Sequence, residues 1–147
     1  MSNLVMEIKR ATAIRYAWAF LGTPYIWGGD DPMAGFDCSG FVVEILTAVG
    51  LVPHKYDATA GGLADRFKNS RVDKPKAGAF VVWFDANGVG QHTEFFIDEF
   101  HTIGASGGGS KTTDLPSAIA ANAFIKVRPF GYRAGAYKIF DPFGGGQ

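Results

Sequence analysis

The chain has one cysteine, no excess of charge of either sign and no long apolar run, and each shortage narrows what it can be. A single thiol, at position 38, cannot close an internal disulfide, so packing must hold the fold and the redox compartment leaves no mark. Lys plus Arg number 14 and Asp plus Glu number 14. Without a basic excess or a basic run there is no electrostatic footprint for nucleic acid. No stretch is apolar for long enough to cross a bilayer, so no membrane partner is expected. The N-terminal segment is interrupted by Glu7, Lys9, Arg10 and Arg15, unlike an export signal. HExxH and paired-ligand spacings are missing, which argues against a zinc site built from Cys38, His54 and His92. Asp30, Asp31 and Asp37 lack the spacing of a calcium loop. No metal and no cofactor are expected.

What is present suits one compact unit. A length of 147 residues with 47% hydrophobic content is enough for a core, and the expectation is a single domain over 1–147. Leu4, Ile8, Ala11, Ile14, Trp18 and Leu21 recur at helical spacing, predicting an amphipathic helix over 3–21 that Ser2 or Asn3 caps. Residues 23–37 read as loop, rich in Gly, Pro and Asp. A second helix is predicted over 39–49, with Phe41, Val42, Ile45, Leu46 and Val49 on one face, and a short third over 63–68. The pattern then changes to strands at 79–84, 92–97, 100–105 and 124–128, with a turn at Asn87-Gly88 and a brief Pro-started helix at 115–121. The tail from Arg133 gives no clear assignment. Helices first and a mostly antiparallel sheet after them make an α+β fold.

The lone cysteine opens the second predicted helix, in GFDCSGFV (35–42). Free N–H groups and the positive end of the helix dipole favour a thiolate there, and the same N–H groups can hold an oxyanion. Nucleophilic catalysis further needs a base and a group orienting it. His92 opens a predicted strand; His54 lies in a loop and His101 on the following strand. The stretch GASGGGSKT (104–112) comes near a phosphate loop but has Ser110 where that pattern needs Gly, so a loop at the rim of a site is expected instead.

Four blocks together, GTPYIWGG (22–29), GFDCSGFV (35–42), PKAGAFVVWF (75–84) and HTEFFI (92–97), resemble the successive motifs of the NlpC/P60 cysteine peptidases. The resemblance implies a papain-like α+β fold and hydrolysis of amide bonds in peptidoglycan stem peptides, near γ-D-glutamyl–diamino-acid bonds. It implies Cys38 as nucleophile and His92 as base, Tyr25 beside the thiol, Asp37 and Ser39 binding the stem peptide, and Trp27 as a groove aromatic. The family's third polar group, often a histidine on the next strand, falls at Gly104, which has no side chain to offer. His101 should face the other way, because side chains alternate along a strand. Thr102 and Ser106 share the face of position 104, and either could hold the imidazole, as could a main-chain carbonyl or a water. The alternatives are a dyad, or a catalytically weak wall-binding or virion structural module on the same fold.

The expected setting is a protein made in the cytoplasm without an export signal that acts on the cell wall after release or delivery. A phage-type lysin or virion-associated hydrolase, with phage virion or lysis partners, fits this first. A secreted toxin amidase is the other candidate.

Overall fold

A computed structural model describes residues 3–144. Helix α1 (Asn3–Trp18) is followed by a small two-stranded ribbon, β1 (Asp30–Asp31) with β2 (Gly35–Phe36), then by α2 (Cys38–Ala48) and α3 (Ala60–Arg66). The main sheet takes β3 (Arg71–Val72), β4 (Phe80–Phe84), β5 (Gly90–Phe96), β6 (His101–Ser106), β7 (Phe124–Pro129) and β8 (Ala136–Phe140), and α4 (Leu115–Ala121) lies between β6 and β7 in the chain. The strand order is β3-β8-β4-β5-β6-β7, and every pairing is antiparallel. This is the expected α+β architecture.

The sheet is buried on both faces, and the alternation along β4 sorts them. Phe80 and Val82 join Phe95, Ile103, Ala105 and Phe140 in the larger core, with Phe41, Ile45 and Leu46 of α2 and Leu63 of α3. Val81 and Trp83 point the other way, into a smaller cluster with Phe96 and Ile139, against which Phe130 packs. Helices therefore cover one face, and a short 3-10 turn at residues 130–132 straps part of the other.

Two expectations change. The apolar stripe of α1 was expected to face the core, yet Leu4, Ile8, Trp18 and Leu21 are exposed, and Arg10, Ala13 and Ala17 are buried instead. The alanines let the helix approach α2 closely, and Arg10 reaches through to Asp141 with two hydrogen bonds of 2.9 and 3.1 Å. The helix also stops at Trp18 rather than at position 21, while the proposed cap Ser2 lies outside the described residues. The tail without an assignment supplies β8, which pairs Ala136–Phe140 along the whole of β4 and lies between β3 and β4. Among the described residues no helix is long and apolar enough to cross a membrane.

Candidate active site

The start of α2 is built by three small residues around the cysteine. Asp37 takes extended backbone and its Oδ1 accepts the Gly40 N–H at 2.7 Å, so the acid of the DCSG stretch is the helix cap. Gly40 has no alternative: a Cβ there would lie 2.1 Å from the Gly29 carbonyl oxygen, which also accepts the Asp37 N–H. The 22–37 loop is thereby laid against the helix tip, and an edge-to-face cluster of Phe20, Phe36 and Phe41 holds it from below. Cys38, the first helical residue, is half-buried, and the N–H groups of Cys38 and Ser39 make no hydrogen bond among the described residues.

A cavity of about 380 Å³ opens beside it. Cys38 and His92 both line it, with Tyr25, Trp27, Ser106, Gly107, Gly108, Gln91, Tyr132 and two guanidinium groups, Arg128 and Arg133. The structure thus brings the nucleophile candidate and the base candidate to one hollow. Trp27 is half-exposed at its rim, whereas Tyr25 is buried, its ring seated so closely on Gly108 that a Cβ there would lie 2.2 Å away. Burial raises the Tyr25 phenol well above its ordinary range, helped by the negative charge of Cys38 and Asp37. Asp37 and Ser39 do not line the cavity, and burial, against the Gly40 hydrogen bond, holds the Asp37 carboxyl above its usual value. Gly107 and Gly108 put the glycine loop at the rim, as its failure as a phosphate loop suggested.

His92 is buried, and Trp83, its register partner on β4, lies over it with ring centroids 5.6 Å apart. Its Nε2 meets Glu94 Oε2 at 2.6 Å. That leaves Nδ1 as the ring nitrogen free to serve the thiol. Burial lowers the imidazole's proton affinity, but the hydrogen bonds and negative charge of Cys38 and Glu94 outweigh it and push His92 up to about 9. Burial raises Glu94, and its bonds to His92, Thr102 and Tyr132 reverse this and hold it below the ordinary carboxylate range.

The group on the imidazole is therefore neither of the hydroxyls expected there. Thr102 Oγ1 donates to Glu94 Oε1 at 2.6 Å, one step behind the histidine, because its short side chain on β6 meets the carboxylate first. Ser106 lines the cavity with Tyr132, and it is Glu94 that holds the imidazole. Glu94 was legible in principle: in His92-Thr93-Glu94 the two ionisable residues are i and i+2 on a strand and share a face. Tyr132, Arg128 and Arg133 come from residues 128–133, where no local pattern marks a site. Among the described residues no three metal-ligating side chains converge.

The NlpC/P60 family model matches residues 22–129. A γ-D-glutamyl-L-lysine dipeptidyl-peptidase of Bacillus subtilis strain 168 is 35% identical over 97 residues, 66% of this chain and 29% of that protein. The peptidoglycan endopeptidase RipB of Mycobacterium tuberculosis is 29% identical over 118 residues, 70% of this chain and 46% of its own length. The solved structure of RipB superposes with a TM-score of 0.69 at 20% identity, covering 95% of this chain and 67% of that one, and shares the fold. The chain spans less than half the length of the curated relatives it matches.

Proposed function

The chain belongs to the NlpC/P60 family of peptidoglycan-directed cysteine hydrolases, and from that premise we propose that it is an endopeptidase cutting amide bonds in peptidoglycan stem peptides, with Cys38 as nucleophile and His92 as base. The observation that carries the reading is the meeting of a helix-tip thiol with a buried, carboxylate-bound imidazole in one open cavity. The Cys38 thiolate attacks the scissile carbonyl and forms a tetrahedral oxyanion. The free main-chain N–H groups at the tip of α2 are fixed donors for that oxyanion, with the Tyr25 hydroxyl as another. Protonated His92 gives its proton to the leaving amine, and water, deprotonated by the neutral imidazole, then releases the acyl group and restores the thiol. No step needs a cofactor.

The cavity's charge supports the substrate class. Stem peptides carry free carboxylates, and Arg128 and Arg133 are the cationic groups lining the cavity that can receive one; the Arg128 guanidinium lies over the Tyr132 ring, 4.7 Å from its centroid. The name of the Bacillus relative points to a γ-D-glutamyl–diamino-acid bond as the one cut. Asp37 and Ser39 remain proposals for the amine end of the peptide, and Trp27 for its groove. Helix α1 is charged and docked through Arg10, Ala13 and Ala17, so it is part of the folded unit. We further propose that the chain is a phage-type lysin or virion-associated hydrolase, and genome neighbourhood tests it: holin or tail genes alongside support it, an immunity gene favours a toxin.

The test is digestion of purified sacculi and defined muropeptides, with products identified by mass spectrometry. The wild type should yield fragments cut within the stem peptide, and Cys38→Ala should yield none while its melting temperature stays unchanged. Retained cleavage by that variant overturns the assignment.

A further inference from the structure

The family resemblance places the base's polar partner at position 104, where this chain has glycine. We infer that Glu94, on the same strand as His92, is the positioning residue of the imidazole, and that Gly104 is the empty place on β6 that lets the carboxylate occupy this post. The inference rests on the Cys38–His92 reading of the site and adds to it the origin and charge of the third group.

Three observations carry it. First, Glu94 is fully buried and each of its oxygens is held: Oε2 by His92 Nε2 at 2.6 Å and by the Tyr132 hydroxyl at 2.5 Å, Oε1 by the Thr102 hydroxyl at 2.6 Å. A buried carboxylate with three short bonds, one of them to an imidazole, has a fixed direction. Second, Phe95 pairs with Ile103 and Phe96 with Thr102, a register that extends to set Glu94 directly opposite Gly104. Third, the glycine is required for this conformation. A Cβ at position 104 would lie 2.4 Å from Glu94 Cγ, 2.9 Å from Cδ and 3.1 Å from Cβ. Gly104 is not in a left-handed conformation, so its use is space and not backbone freedom.

A side chain at 104 and a bent Glu94 are thus mutually exclusive. The two positions are alternative seats for one function, reached from neighbouring strands on the same face. The glycine that suggested a lost orienter is instead the counterpart of a relocated one. The relocated group also differs in kind. An ionised carboxylate stabilises the imidazolium by charge as well as by direction, which a neutral partner does only by direction.

The experiment uses the whole chain and four variants: Glu94→Gln, Glu94→Ala, Gly104→Ala and the double substitution Glu94→Ala with Gly104→His. Muropeptide hydrolysis is followed against pH, and so is the rate of Cys38 alkylation by iodoacetamide, which needs no substrate. Glu94→Gln should lower kcat about 100-fold with little change in KM, move the alkaline limb of the hydrolysis profile down from about pH 9, and shift the alkylation profile by slowing Cys38 alkylation on its acid side. Gly104→Ala should reproduce that shift although residue 104 touches neither substrate nor imidazole. The double variant should exceed Glu94→Ala at least tenfold, because the opposite strand then supplies the partner. Wild-type pH profiles in Glu94→Gln or Gly104→Ala overturn the inference, as does a double variant no better than Glu94→Ala. Should these variants fail to fold, the wild type decides by nitrogen-15 NMR: a strongly deshielded Nε2 proton on His92 supports the bond to Glu94, and its absence overturns it. Normal alkylation shifts without muropeptide cleavage would sink the proposed substrate and leave the role of Glu94 standing.

Discussion

The two faces of the central sheet follow different rules. Facing α2 and α3, the strands present Phe80, Val82, Phe95, Ile103 and Phe140, apolar side chains buried by apolar partners. Facing the strap at 130–132, the smaller apolar cluster of Val81, Trp83, Phe96 and Ile139 adjoins a polar set on β5 and β6, His92, Glu94 and Thr102, which is also buried but joined by hydrogen bonds. Glu94 and Phe95 are adjacent in the chain and both are fully buried, yet one is half of a charged pair and the other an ordinary core residue. Burial alone therefore says nothing about role here. What separates the faces is tolerance: the apolar face can absorb a change of shape at some cost in stability, while a missing partner on the polar face leaves a charge unsatisfied.

Substitutions that strike one face at a time sharpen that contrast. The largest effect lies at the point where the polar face meets the helix tip: Cys38→Ser should lower muropeptide hydrolysis by about 10⁴-fold, since a hydroxyl beside an imidazolium is a poor nucleophile, with no change in thermal unfolding. On the helix face, Phe95→Ala should cost about 3–5 kcal/mol in denaturant unfolding. The molecules that remain folded should keep their kcat, and a kcat that falls in parallel would mean the faces are not separable. Across to β6, Thr102→Val and Ile103→Val make a matched pair. The first removes a donor to Glu94 and should lower kcat about tenfold, the second should cost about 1 kcal/mol of stability with kcat intact. At the cavity, Arg128→Ala should raise KM about tenfold for a muropeptide with a free carboxylate and much less for its amidated form.

The smallest effect is a pH dependence outside the site. Asp141 lies below its ordinary range: burial would raise it, and the bonds and charge of Arg10 more than reverse this. A carboxyl depressed on folding adds stability above its unfolded value and loses it as pH falls through the folded one. Melting temperature should therefore drop on acidification below about pH 4 more steeply for the wild type than for Asp141→Asn. His92 has the opposite sign. Raised to about 9, it contributes stability in full below its unfolded value, near 6.5, and loses it as pH rises through 9.

How much of this the residues announce follows from the same contrast. The second helix and strands β4 to β7 are local patterns, an apolar stripe after DCSG and runs such as AFVVWF, and they form close to where the sequence places them. Strand β8 is not local: AYKIF has a Lys in the middle and three exposed positions, and it becomes a strand only because β4 offers an unpaired edge more than fifty residues earlier in the chain. The stripe on α1 misleads because two alanines and an arginine make the closer fit, through contacts with Asp141 at the far end of the chain. At the site, Cys38 and His92 stand out by motif. Glu94 stands two positions from the base on the same face, but the resemblance directs attention to position 104. Its partner Tyr132 follows from tertiary closure alone.

The placement of β8 has a consequence for how such an enzyme comes into being. The strand that fills the gap between β3 and β4 follows the sheet's other strands in the chain, and helix α1 is pinned to the residue just after it. Without β8 and Asp141, β4 has a bare edge and α1 lacks this anchor, so completion of the sheet depends on long-range pairings, which form slowly. The thiol at position 38 therefore lies far ahead, in the chain, of the strand that completes the sheet carrying His92.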